Sequence, residues 1–315
     1  MEFQWIALRC FREAAHRKSI RKAAEALAIS PSSVHRQLIK LEQQVNSTLF
    51  ERSSDGVRLT AAGEVFYNYV LRAHHDLDRM MSEIDDLRGV RRGHVSVACE
   101  EGLGKDVLPQ VLMPYRKKHP GVSFTLKILD MPGIVQGVAD GEFDVGVAFN
   151  PLSHAGVTRR GQLPVAVGAV LPPTHRLAGR KSLRLADLVG EPLIMADAGY
   201  AIRNMLDVQF SSSREHLAIM VESNSFEAMT SLVKAGVGIA VRTRVGITEE
   251  ISRGEVVFVP ISEPGFHLHT IAICSRAGRS LPVAAAIFVE QLKAVLADLR
   301  DSSPGLQAAG QPAVA

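Results

Sequence analysis

Apolar residues in the first sixty positions recur at helical spacing in three short segments. The first segment places six apolar side chains on one face: Phe3, Ile6, Ala7, Cys10, Phe11 and Ala14. Ser19 is placed to cap a second helix over residues 20–27, and Pro31 to begin a third helix after the short break at residues 28–30. Helices joined by so few residues must cross at a large angle, which predicts a helix-turn-helix.

Two short extended segments follow the third helix and flank an Asp-Gly turn at residues 55–56. This pattern predicts a β-hairpin wing, with Arg52 and Arg58 on either side of its tip. The third helix turns polar side chains outward, and their chemistry suits base edges and phosphates in a major groove. Those outward residues are Ser33, His35, Arg36, Gln37 and Lys40.

The distribution of charge favours the same surface. Residues 1–60 carry ten Lys and Arg against six Asp and Glu, whereas the remaining residues carry 26 against 27. We therefore expect double-stranded DNA as a partner, although Arg21 and Lys40 could also be solvated charges. The expected DNA contacts are Ser19, Arg21, Ser30, Pro31, Ser32, Ser33, His35, Arg36, Lys40, Arg52 and Arg58.

A longer helical pattern without proline runs from residue 61 to residue 87. Its apolar positions alternate at spacings of four and three: Phe66, Val70, Ala73, Leu77, Met80, Ile84 and Leu87. Such a seam predicts pairing of two chains into a homodimer that presents two DNA-binding heads to successive half-sites. The alternative is a helix that packs on its own chain. Residues 89–93 are expected to form a hinge.

From residue 94 to residue 300 the pattern changes to alternating strands and helices in two successive βαβ runs. This order predicts a two-lobed α/β domain of the periplasmic-binding-protein type, with a ligand cleft at the carboxyl ends of its strands. One strand is expected over residues 165–171 and one helix over residues 102–119. The composition of residues 301–315 indicates a disordered tail.

Residues at strand ends are the candidates for contact with a small-molecule effector: Cys99, Glu100, Glu101, Gly102, Asp130, Phe149, Asn150, Tyr200, Ser223, Asn224, Arg242 and Thr243. Two carboxylates follow the first strand, and they either cap the next helix or receive a cationic group. With Arg242 on the opposite wall, the set would suit a zwitterion such as an amino acid or a betaine. Cys99 is either a buried inert thiol or a redox-active one.

The chain resembles the LysR-type transcriptional regulators in six ordered segments, which cover the chain to about residue 300. These are Ser19–Leu27, Ser30–Glu42, Leu49–Arg52, Leu59–Gly63, Phe143–Ala148 and Ala235–Ala240. Pro31 and His35 depart from the family pattern, which leaves the base preference there open.

The resemblance implies an all-α winged helix-turn-helix over residues 1–60 and a linker and dimerisation segment over residues 61–93. It also implies an effector-binding α/β domain over residues 94–300, with lobe I formed by residues 94–163 and 266–300 and lobe II by residues 164–265. A homodimer that assembles into a homotetramer is the implied state.

Other functional classes lack their motifs. Three widely spaced cysteines argue against disulfides and a zinc site, and no phosphate loop or hydrolase motif is present, so neither an enzyme nor a cofactor is expected. The first residues lack a secretory signal and no apolar stretch is long enough to span a membrane, so a cytoplasmic location is expected. A solute-binding protein without a regulatory role is the alternative function.

Overall fold

The computed structural model describes residues 5–53, 56–87, 93–198, 200–211, 217–263 and 269–301. The chain divides into two compact units, Met1–Met81 and Ser82–Ala315. The predicted hinge and tail lie outside the described residues, except that Gly93 begins a strand and Asp301 ends a helix.

The first unit contains the three helices and the hairpin that the sequence predicts, together with the long helix up to Met81. Its elements are α1 (Trp5–Arg17), α2 (Ile20–Leu27), α3 (Pro31–Val45), β1 (Phe50–Ser53), β2 (Gly56–Leu59) and α4 (Ala61–Leu87). The Ser19 hydroxyl caps α2 by accepting a hydrogen bond from the Lys22 amide. The Ser30 hydroxyl caps α3 by accepting one from the Ser33 amide. Ala28 closes α2 in the left-handed conformation, which allows the short turn.

Phe11 is the centre of this unit's core. Its ring is fully buried and lies 5.0 Å from the ring centroids of both Phe50 and Phe66. Phe66 and Val70 of α4 are only 8% and 3% exposed because they pack into this core. These two residues therefore stabilise the fold of their own chain, which leaves little of either side chain for the predicted dimer seam.

The rest of the predicted seam is less enclosed. Ala73 and Leu77 are half-buried and Met80 is 44% exposed within a single chain. The side chains of Ile84 and Leu87 lie outside the described residues. A dimer contact through α4 thus stays a prediction for the part of the helix that follows Val70.

The second unit alternates strands and helices. Its elements are β3 (Gly93–Cys99), α5 (Glu101–Asp106), α6 (Leu108–Lys118), β4 (Val122–Ile128), α7 (Met131–Asp140), β5 (Val145–Phe149), β6 (Val157–Val165), β7 (Val167–Leu171), a 3-10 helix (Leu185–Leu188), β8 (Pro192–Ala196), α8 (Ala201–Ser211), β9 (Ala218–Ser223), α9 (Phe226–Lys234), β10 (Ile239–Thr243), α10 (Thr248–Ser252), β11 (Val257–Pro260), β12 (His269–Arg276) and α11 (Val283–Asp301).

These strands form two five-stranded mixed sheets, which define two lobes. Lobe I has the order β4-β3-β5-β12-β6, and lobe II has the order β11-β7-β10-β8-β9. The βαβ pairs are parallel in each sheet, as the sequence predicts, whereas β12 runs antiparallel to β5 and β6, and β7 antiparallel to β10 and β11. The chain passes between lobes twice, after β6 and after β11.

Two sequence expectations about these elements are wrong. The expected strand over residues 165–171 is divided, because Val165 ends β6 in lobe I and Val167 begins β7 in lobe II. The expected helix over residues 102–119 is broken at Val107, since Pro109 has no N–H to donate to the preceding turn. The strand β6 was not expected, because its largely exposed edge lacks an apolar alternation.

Helix α5 of lobe I makes polar contacts with lobe II. One Asp106 oxygen accepts hydrogen bonds from the Gly246 amide at 2.7 Å and from the Thr248 hydroxyl at 2.6 Å. Lys105 forms ion pairs with Glu227 and Glu250. These contacts bring the two lobes together beside the carboxyl ends of β3 and β10.

Gly246 provides a test of this close packing. Its φ is +90°, and a Cβ there would lie 2.6 Å from the Gly102 Cα. Gly254 has a φ of +69° but nothing within 4 Å of a Cβ, so it is a matched control for backbone strain alone. We expect Gly246→Ala to lower the unfolding free energy of the second unit by about 1–3 kcal/mol more than Gly254→Ala, measured by urea denaturation. Equal losses would contradict the close contact between the lobes.

Candidate DNA interface and ligand cleft

The exposed face of α3 carries the candidate base contacts. Val34, Leu38 and Leu41 are buried on its inner face, whereas His35 and Arg36 are exposed on the outer one. Lys40 is exposed on the same helix, and the Arg36 Nη2 lies 3.4 Å from the Ser33 hydroxyl. The basic side chains of α3 therefore project away from the core and are available to DNA.

Other predicted contact residues also have roles within the fold. The Ser30 hydroxyl lies 3.0 Å from that of Ser32 and 2.8 Å from that of Ser33, at the N-terminus of α3. Ser33 is half-buried rather than fully outward, because its side chain belongs to this cap. Gln37, also expected outward, is half-buried. The Ser19 hydroxyl caps α2, while Arg21 is 82% exposed beside Glu25.

The wing is attached to the beginning of α2. The Val57 amide donates to the Lys18 carbonyl at 3.1 Å. Gly56 has a φ of +131°, and a Cβ there would lie 2.2 Å from the same carbonyl, so only glycine fits this approach. Arg58 is exposed on β2, whereas the Arg52 side chain lies outside the described residues.

A cavity of about 920 Å³ lies between the two lobes of the second unit. It is lined by the ends of strands and the beginnings of helices from both lobes. Its lining residues are Glu100, Glu101, Gly102, Ile128, Leu129, Asp130, Met131, Pro132, Phe149, Asp197, Tyr200, Ala201, Ile202, Asn224, Ser225, Phe226, Arg242, Thr243, Val245 and His269. The size suits a small molecule.

Glu100 is the most enclosed carboxylate of the cavity, at 7% exposed. Burial raises its pKa to about 8, a hydrogen bond from the Phe149 amide lowers the pKa, and the negative charge of Asp130 raises it further. Glu100 stands at the N-cap position of α5 without a side-chain capping bond. Its carboxyl group is thus held in the cavity as a weak acid.

Glu101 binds the opposite lobe. Its Oε2 accepts a hydrogen bond from the Phe226 amide at 2.7 Å, and its Oε1 accepts one from the Ser225 hydroxyl at 3.2 Å. The sequence predicted that this carboxylate either caps the next helix of its own chain segment or receives a cationic group. It does cap a helix, but the helix is α9 of lobe II.

Arg242 is enclosed on the other side of the cavity, at 3% exposed. Its guanidinium donates to the carbonyls of Phe226 and Val245, both at 2.9 Å, and to the Thr230 hydroxyl at 2.8 Å. The guanidinium carbon also lies 5.0 Å from the centroid of the Phe226 ring. Burial lowers the pKa of Arg242 to about 10, and Glu101 opposes this shift more than any other charge.

His269 lines the cavity in its neutral form. Burial lowers its pKa to about 4. The Asn150 amide donates to His269 Nδ1 at 3.0 Å, and the Asn150 carbonyl accepts from the Thr270 amide at 2.6 Å. Asn150 thus holds His269 in place instead of lining the cavity itself.

Membrane spans and metal clusters are both absent from the part of the chain that the structure describes. No helix there combines the length and the apolar character needed to cross a membrane. The same residues contain no cluster of three or more His, Cys, Asp or Glu side chains that could hold a metal ion.

Comparison with known families covers both units. A model described as a bacterial regulatory helix-turn-helix protein of the lysR family matches residues 5–64. A second model, described as the LysR substrate binding domain, matches residues 88–297, which is two thirds of the chain. The chain belongs to the LysR family of transcriptional regulators. It has the family's DNA-binding domain and an effector-binding domain of two α/β lobes.

Individual LysR-family proteins match over most of this chain. The transcriptional activator protein LysR of Escherichia coli is 30% identical over 76% of this chain and 77% of its own length. The transcriptional dual regulator GltC of Bacillus subtilis is 27% identical over 90% of this chain and 94% of its own. These relatives are regulators, so a solute-binding protein without a regulatory role is not supported.

Solved structures show the same fold. Full-length CbnR in complex with its target DNA has a TM-score of 0.69 and 22% identity, over 94% of this chain and all of its own. A full-length OxyR variant from Pseudomonas aeruginosa has a TM-score of 0.69 and 20% identity, over 93% of this chain and 95% of its own.

Most of the expected effector contacts of this LysR-type chain line the cavity. They are Glu100, Glu101, Gly102, Asp130, Phe149, Tyr200, Asn224, Arg242 and Thr243. Three expected residues do not. Ser223 instead accepts a hydrogen bond from the Ser225 amide, Asn150 contacts His269, and Cys99 is fully buried. Burial raises the pKa of Cys99 to about 12, which disfavours the thiolate that redox chemistry needs.

Several lining residues were not predicted from the sequence. Asp197 and Ser225 follow strands of lobe II and could have been found by the same strand-end argument. His269 begins β12, and nothing in its local sequence marks it as part of a cavity. Phe226 was assigned only to a helix, although it contacts both Glu101 and Arg242.

Arg36 is the side chain with which DNA recognition by this LysR-family regulator is best tested. We expect Arg36→Ala to weaken binding to operator DNA by about 5- to 150-fold, because a bidentate contact to a base contributes about 1–3 kcal/mol. Arg9→Ala is the control and should leave binding unchanged, since that side chain is exposed on α1 and is not among the expected DNA contacts. Fluorescence anisotropy with operator and random duplexes measures both. A loss of folding in Arg36→Ala would contradict its outward position.

Proposed function

We propose that this regulator binds promoter DNA as a homodimer joined through the later part of α4, with one reading head on each of two half-sites. We further propose that an amine-bearing small molecule in the cleft controls this binding. The regulator acts in the cytoplasm without catalysing a reaction, and its dimers associate into a tetramer.

The acidic character of the cavity supports an amine-bearing effector. Glu100, Asp130 and Asp197 line it together with Glu101, against the single arginine Arg242. Arg242 donates its hydrogen bonds to groups of its own lobe, so the cavity does not present it as a free anchor for an effector carboxylate. An amino group can pair with Glu100 and Asp130. The sequence led us to expect a zwitterion bound through both of its charges, whereas the cavity favours a ligand that is recognised by its amino group.

Apolar and aromatic side chains complete the cavity around these carboxylates. Phe149 and Ile128 come from lobe I, and Tyr200 and Ile202 from lobe II. Aromatic faces attract cations, which adds to the pairing with carboxylates. An amine carried on a short apolar skeleton fits both parts of this lining.

The pKa of Glu100 predicts how amine binding depends on pH. Since the free carboxyl group has a pKa of about 8, binding a cation near pH 7 must release its proton. Affinity for an amine should therefore rise about tenfold per pH unit between pH 6 and pH 8, and Glu100→Gln should abolish this rise. Isothermal titration calorimetry with amino acids, diamines and quaternary amines measures it. Binding confined to simple carboxylates would contradict the proposal.

Glu100 also predicts a pH dependence of stability. Its pKa is raised from the ordinary 4.5 to about 8. The contribution of the protonated carboxyl group to the free energy of unfolding is therefore fully present below pH 4.5 and is lost as the pH rises through 8. Glu100→Gln should flatten this decline of the melting temperature across the window. Glu249→Gln, which removes an exposed carboxylate paired with Arg253, should leave the decline unchanged.

The dimer contact is tested on α4. We expect Leu77→Glu with Met80→Glu to shift the protein from dimer to monomer at about micromolar concentration, because two charges would be placed in an apolar seam. Val65→Glu is the matched control, since Val65 is 72% exposed on the same helix and lies outside the repeat. Light scattering after size exclusion measures both. A dimer that survives the double variant would contradict an α4 contact.

A further inference from the structure

The cationic side of the cleft contains a buried charge with a particular set of partners. The groups that accept hydrogen bonds from Arg242 are two carbonyls and one hydroxyl, none of which carries a charge. Its Nε has no hydrogen-bond partner among the described residues. A guanidinium that is 3% exposed is costly to bury without a counter-charge.

The N-terminus of α9 lies beside this guanidinium. The Phe226 carbonyl accepts from Arg242, while the Phe226 amide points to the cavity side and donates to Glu101. The Ser225 hydroxyl, which caps α9 by accepting from the Ala228 amide at 3.2 Å, is the second donor to that carboxylate. The helix dipole and the arginine thus place positive potential at one point of the lining.

Glu101 supplies the negative charge at that point from the other lobe. Both of its oxygens are bound at α9, and it is the strongest electrostatic support of the Arg242 charge. Asp106, Glu227 and Glu250 support that charge less, and their carboxylates are bound to the α10 N-terminus and to Lys105. Among these carboxylates, only Glu101 is bound at the N-terminus of α9.

We propose that Glu101 is a tethered anionic ligand: it fills a carboxylate subsite formed by the Phe226 amide and the Ser225 hydroxyl at the α9 N-terminus, in the positive field of Arg242, and so excludes free carboxylates from the cleft. Residue 101 then determines which class of effector this domain accepts. The subsite is independent of the amine proposal, because it is tested without any amine present.

Removal of the side chain should convert the subsite into one for external anions. Glu101→Ala leaves the Phe226 amide and the Ser225 hydroxyl without their carboxylate, and the Arg242 charge without its strongest electrostatic support. Acetate has the size and charge to replace that carboxylate. We expect the full-length variant to melt below the wild type in sodium chloride. Sodium acetate at equal ionic strength should recover at least half of the loss, with half-saturation at about millimolar concentration.

Three controls make the result specific. The wild type should melt at the same temperature in acetate and in chloride, since its subsite is filled. Glu101→Gln fills the space without the charge, so acetate should raise its melting temperature less than that of Glu101→Ala. Glu263→Ala removes a carboxylate that accepts from the Leu185 amide and does not line the cavity, and acetate should not restore the stability of this variant.

Each outcome decides the proposal. An equal melting temperature of Glu101→Ala in acetate and in chloride would overturn it, as would an equal gain in the wild type. Should Glu101→Ala fail to fold in chloride, the variant is refolded in acetate: folding there supports the subsite, and failure there overturns it. Amine binding by the wild type is measured separately. A negative result for the carboxylate subsite therefore does not contradict amine binding, and a negative result for amine binding does not contradict the subsite.

Discussion

The buried charge of Arg242 is the constraint on which the cleft between the lobes depends. A guanidinium enclosed in lobe II needs a nearby negative charge, and the chain provides it from lobe I through Glu101. The same short helix carries Asp106 and Lys105, which bind lobe II at α10 and α9. The electrostatic stabilisation of Arg242 is therefore coupled to the contact between the two lobes.

Charge is arranged differently in the two units, and each arrangement matches a different partner. The first unit buries an aromatic core around Phe11 and leaves Arg36 and Lys40 exposed on α3, which suits a polyanion read from outside. The second unit encloses carboxylates in a cavity, where the proposed amine would neutralise them. Membership of the LysR family gives these two surfaces one purpose, the control of transcription by a small molecule.

Local sequence signals predicted the elements but not the partners of charged side chains. The caps Ser19 and Ser30 identified the helix-turn-helix because capping involves residues three positions apart. Glu100 and Glu101 were placed at a cleft by their position after a strand, yet Glu101 binds Phe226, 125 residues further along the chain. Phe66 was assigned to a dimer by its heptad position, because spacing alone does not distinguish a contact within one chain from a contact between two.

Hydrogen exchange at the Phe226 amide tests the central claim most directly, because that N–H donates to Glu101 across the lobes at 2.7 Å. The amide belongs to the first turn of α9, where a helix supplies no acceptor of its own. The structure predicts a protected amide in the wild type and loss of that protection in Glu101→Ala, with the amides of α9 beyond its first turn unchanged. Fast exchange at Phe226 in the wild type, or equal protection in both proteins, would contradict the binding of Glu101 to the α9 N-terminus across the lobes.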